Sequence, residues 1–127
     1  MKKISGALIL LVAFEHLYFM VLEMFLWTKP TGLQTFGLTQ EFAEQSAALA
    51  ANQGLYNGFL AAGLIWSLFR KRDRFSLQVF FLGCVIVAGV FGAVTAKTSI
   101  LYVQAVPAFV ALLFAVIAQR QRTANLI

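Results

Sequence analysis

AFEHLYFMVLEMFLW, residues 13–27, is apolar but for Glu15, His16 and Glu23. Read back to Ile4, the apolar stretch exceeds the roughly 20 residues a helix needs to cross a bilayer. Residues 4–27 therefore read as a membrane span, and Trp27 as its interfacial anchor. Two lysines before the apolar run resemble a signal peptide, but no small-x-small cleavage site follows, so the segment reads as a retained first span.

The rest of the chain agrees. It is 61% hydrophobic and 12% charged, against about 25% charged residues in a soluble domain. Thirteen phenylalanines and a mean hydropathy of +0.82 point to an all-α integral membrane protein, a four-helix bundle in one domain. Further spans are expected at about 50–69, 75–95 and 99–118. TKPTGLQTFG (28–37) contains Pro30, Gly32 and Gly37 and is expected to be a loop. Thr39 then caps a long helix carrying Glu41 in its first turn.

The net charge of +5 does not indicate nucleic acid, because no basic face is interleaved with stacking groups. Lys2 and Lys3, RKRDR (70–74), Arg120 and Arg122 instead flank apolar runs. By the positive-inside rule both termini and the 70–74 loop are cytoplasmic, and residues 28–50 lie outside. The lone Cys84 excludes an internal disulfide and reads as a small packing residue. Gly54 and Gly58 form a GxxxG, and Ala88, Gly92 and Ala96 recur every four residues beside Gly89 and Ala93. Such spacings let membrane helices approach closely.

Chemistry concentrates on the first span. Glu15, His16 and Glu23 fall within an arc of about 100° on one helix face, with His16 and Glu23 nearly aligned. Counting about 1.5 Å per residue from the cytoplasmic ends, Gln53, Tyr56 and Asn57 of the second span and Gln104 of the fourth come between mid-membrane and the outer surface. Asn57 falls level with Glu15 and His16. The cytoplasmic half offers only Ser5, Ser67 and Gln78, near its edge, so the polar pocket should open outward over an apolar floor.

A charged acid at mid-span costs roughly 2.5–3.5 kcal/mol on insertion scales. The cost is relieved if the carboxylate takes up a proton or pairs with His16 as imidazolium. Either makes Glu15 and His16 a proton-exchanging pair suited to acid–base work. Glu23, Gln53, Tyr56, Asn57 and Gln104 would orient a ligand. The bland alternative is a polar pair that locks helices together, and Gln104 has the further option of serving backbone groups freed by Pro107. A metal site is disfavoured because adjacent Glu15 and His16 diverge by about 100° and no HxxxH or ExxH spacing exists. No cofactor is called for.

EHLYFMVLEMFLW, NQGLYNGFLAAGL, AGVFGA and VQAVPA together resemble the bacterial domain-of-unknown-function 1304 family of small four-span membrane proteins. The resemblance covers nearly the whole chain and implies a multi-pass protein of the bacterial inner membrane. It brings no activity with it. The residues themselves favour an intramembrane pocket for a small lipophilic molecule among membrane lipid, with isomerisation, epoxide opening or hydration as candidate chemistries. A proton-coupled exporter acting as a homo-oligomeric dimer is the alternative, and a structural membrane subunit a third reading.

Overall fold

A computed structural model of the chain describes residues 1–125. The described residues form helices and no strand: α1 (Lys2–Phe25), α2 (Pro30–Phe36), α3 (Gln40–Phe69), α4 (Arg74–Thr95) and α5 (Leu101–Ala124). By length and composition α1, α4 and α5 qualify as membrane spans. α3 runs unbroken through the expected second span, 50–69. Asn52, Gln53 and Asn57 dilute its apolar character, so it is not among those three helices.

The outer surface fits a lipid environment. Phe14, Phe25, Phe59, Phe80, Phe91 and Val94 are all exposed, which would be costly in water over such an area. The chain divides into two compact units: Phe14–Ala61, and Met1–Ala13 together with the chain from Ala62.

Within the first of these, α1 ends at Phe25, two residues before Trp27. The 28–37 segment is not the loop expected from its breakers but contains the seven-residue α2. Pro30 occupies the start of that helix, where a missing N–H costs nothing and the fixed φ is already helical. Gly37 closes it at φ 66° in the left-handed region, a conformation that favours glycine. Trp27 turns inward, donating from Nε1 to Ser46 Oγ at 3.0 Å and packing on Phe36 with ring centroids 4.8 Å apart. Thr39 caps α3 as expected, its hydroxyl accepting from the Phe42 amide at 3.2 Å.

Gly54 and Gly58 face α1. A Cβ at Gly54 would lie 2.7 Å from Met24 Cγ and 3.1 Å from the Met20 carbonyl oxygen, and one at Gly58 2.8 Å from Met20 Sδ. The two glycines thus form the seat for the methionines of α1.

In the other unit, α4 buries Gln78, Leu82, Val85 and Gly89, a stripe at helical spacing. α5 buries Ala105, Ala108, Ala111 and Ala115. These small faces allow close approach: a Cβ at Gly89 would sit 2.8 Å from the Ala105 nitrogen. The packing face runs through Gly89 and Gly92, the latter against Ile100, while Ala88 and Ala96 of the expected repeat are exposed. The first turn of α5, Leu101–Ala105, is π-helical. Pro107 has no N–H and its ring crowds the carbonyl four residues earlier, which accounts for the widened turn just before it.

Candidate functional site

The polar face of α1 is continuous with its packing stripe. Ile9, Val12 and Ala13 are buried, and His16, next on that face, is fully buried. The His16 ring meets Phe19 edge-on, centroids 5.7 Å apart at 73°. Its position follows from the stripe rather than from any local preference: the same helical phase that buries Val12 buries a residue four further on.

Glu15, one position earlier, is half-buried. Its Oε2 atom is shut away from solvent and has no hydrogen-bond partner among the described residues. Leaving a buried acceptor unmatched costs about 1–3 kcal/mol, more when charged, so this oxygen is a destabilised group held in place by the packing around it. The expected Glu15–His16 pairing is not made through Oε2.

Two turns along α1, Glu23 does find a partner. The Asn57 amide donates to Glu23 Oε2 at 2.6 Å, and Asn57 is 5% exposed. The side-chain amide cannot be displaced to water, and the short bond is of the charge-assisted kind when Glu23 is ionised. Counting from helix ends placed Asn57 level with Glu15 and His16; the bond places it level with Glu23. Register here is set by the seating of Gly54 and Gly58 on Met20 and Met24, which a count from helix ends ignores.

The remaining expected residues are arranged differently. Gln53 is exposed, as is Tyr56, whose ring lies 6.2 Å from that of Phe59. Gln104 is half-buried in the π-helical turn of the other unit. Phe14–Ala61 therefore brings together Glu23 and Asn57 by a direct bond and carries Glu15 and His16 on the same stretch of α1. Among the described residues no three of His, Cys, Asp and Glu cluster closely enough to hold a metal ion. Met20 and Met24 are the residues that sequence reasoning passed over. Their only signal was a position within one turn of Glu23, opposite the small-residue motif of α3.

Comparison with known proteins agrees with the sequence resemblance. The family described as "Protein of unknown function (DUF1304)" matches residues 10–116. An uncharacterized protein, YpaA, of Lactococcus lactis subsp. lactis (strain IL1403) is 33% identical over 106 residues, which cover 82% of this chain and 89% of that protein. No solved structure matches. The matched stretch contains Glu15, His16, Glu23, Asn57 and Gln104 alike, and by its extent the chain belongs to the DUF1304 family.

Proposed function

We propose that this protein holds a small lipophilic molecule in the bacterial inner membrane, through an outward-opening polar pocket on α1 and α3. α3 acts as the fourth span, and α1 shields part of its polar content. The observation that carries this reading is the buried Oε2 of Glu15, without a partner among the described residues, on the residue next to the buried His16. A buried acceptor without a donor is a group whose hydrogen bond a ligand can complete. Intramembrane ionisable residues mark functional sites more often than scaffolding. Glu23, held by Asn57, supplies a fixed polar neighbour. Glu15 exchanges a proton with the ligand, and His16 serves as its acid–base companion.

The test is recovery of bound compounds. The purified protein is extracted with organic solvent and the extract analysed by mass spectrometry, in parallel with Glu15→Gln and His16→Gln. Glu15→Gln keeps size and removes the carboxylate. The expected result is a small lipophilic compound that co-purifies with the wild type and is depleted from both folded variants. An identical extract from all three, with thermal stability lowered in the variants, would make the pair structural glue.

A further inference from the structure

Beyond the Glu15 region, the chain carries a second constellation that packing does not explain. At the cytoplasmic end of the unit formed by Met1–Ala13 and the chain from Ala62 lies a cleft of about 720 Å³, within the usual size of small-molecule sites. Lys2, Arg70, Lys71, Arg74 and Arg122 all line it. They come from three helices and the loop between α3 and α4. Among the described residues no acidic side chain lines it; Asp73, the acid of that loop, bridges Arg70 at 3.2 Å but does not line the cleft.

The positive-inside rule explains why cations lie on this side of the membrane. It does not explain their convergence on one cavity, nor the neutral donor within it. Gln78 lines the same cleft and is 5% exposed. Its neighbours along the α4 stripe are the apolar Leu82 and Val85. An amide in a cleft that is also lined by cations is a donor set for an oxyanion.

We infer that this cleft binds a phosphate-bearing anion, with the cations supplying charge and Gln78 a neutral hydrogen bond. Two sources share that chemistry, the headgroup of an anionic phospholipid and a soluble phosphate ester or polyphosphate.

The Arg70 guanidinium lies 5.6 Å above the Trp66 ring, which makes Trp66 emission a local reporter in a Trp27→Phe background. The full chain is titrated in neutral detergent with inorganic pyrophosphate. It is also reconstituted in nanodiscs of phosphatidylcholine with and without phosphatidylglycerol. Saturable, salt-sensitive changes with pyrophosphate identify a soluble ligand, and changes with phosphatidylglycerol alone identify a lipid. Gln78→Leu, which leaves every charge in place, should weaken binding about tenfold, as loss of one hydrogen bond to a charged group does. Arg74→Gln combined with Arg122→Gln should weaken it further. Lys3→Gln, Arg72→Gln and Arg120→Gln together remove more charge from outside the cleft and should leave affinity within about twofold, since exposed pairs at a distance are screened. Equal weakening by this triple and by the cleft variants would reduce the effect to general positive charge and overturn the proposal. So would full binding by Gln78→Leu, or no response to either probe.

Discussion

Asn57 on α3 donates a 2.6 Å hydrogen bond to Glu23 on α1, 34 residues away in sequence. It lies beside the Gly54 contact with Met20, Glu23 and Met24, so one polar bond and one glycine seat set the register of the two helices together. The bond is directional and the seat is steric, and each fails if the other slips by a turn.

The pair should therefore behave as a coupled unit. Glu23→Leu and Asn57→Leu are each expected to destabilise the fold, and the double variant to lose less than the sum. The coupling should fall at about 0.6 kcal/mol and not above about 1.7 kcal/mol, the mean and the maximum found for interhelical hydrogen bonds in a membrane protein. Unfolding of all four proteins in mixed micelles would measure it. Additive losses would show that the bond carries no net energy.

Glu15 should behave in the opposite way. Because its buried Oε2 lacks a partner among the described residues, Glu15→Leu is expected to leave thermal stability unchanged or raise it, by up to about the 2.5–3.5 kcal/mol that a mid-span acid costs. A marked fall in stability would mean that the carboxylate supports the fold.

Two glycines of α4 should separate just as clearly. A Cβ at Gly89 would strike the backbone of Ala105, whereas one at Gly83 meets nothing within 4 Å. Gly89→Ala should cost on the order of 1–3 kcal/mol as overpacking. Gly83→Ala should be neutral or stabilise by up to about 1 kcal/mol through helix propensity. Thermal unfolding monitored by circular dichroism would compare them; equal effects would contradict the close contact of α4 with the π-helical turn.

Topology is open to a direct check. Reporter fusions after residue 74 and at the C-terminus should read cytoplasmic, and one placed at Gly37 periplasmic, if α3 crosses the bilayer as a fourth span. A cytoplasmic signal at Gly37, with residue 74 also cytoplasmic, would remove α3 as a span.

Much of this was legible in one dimension. Length and hydropathy determine that Lys2–Phe25, Arg74–Thr95 and Leu101–Ala124 are helices fit for a bilayer, because a backbone in hydrocarbon must satisfy its own hydrogen bonds. Helical phase alone placed His16 and Glu23 on one face, and the Thr39 cap was visible from residue type. The family resemblance was equally visible, since it rests on the order of residues.

What only tertiary structure decided is which of these residues meet. Asn57 pairs with Glu23 rather than lying level with Glu15, α4 packs through Gly89 rather than Ala88, and Trp27 turns onto Ser46 and Phe36 instead of serving solely as an outer anchor. Pro30 begins a helix where it was expected to prevent one. Lys2, the Arg70–Arg74 segment and Arg122, far apart in the chain, line one cleft with Gln78. The physical reason is common to all. A sequence determines the period and exposed face of each helix from local terms, but the register between helices depends on which large side chain finds which small one, and that match exists only once the surfaces are in contact.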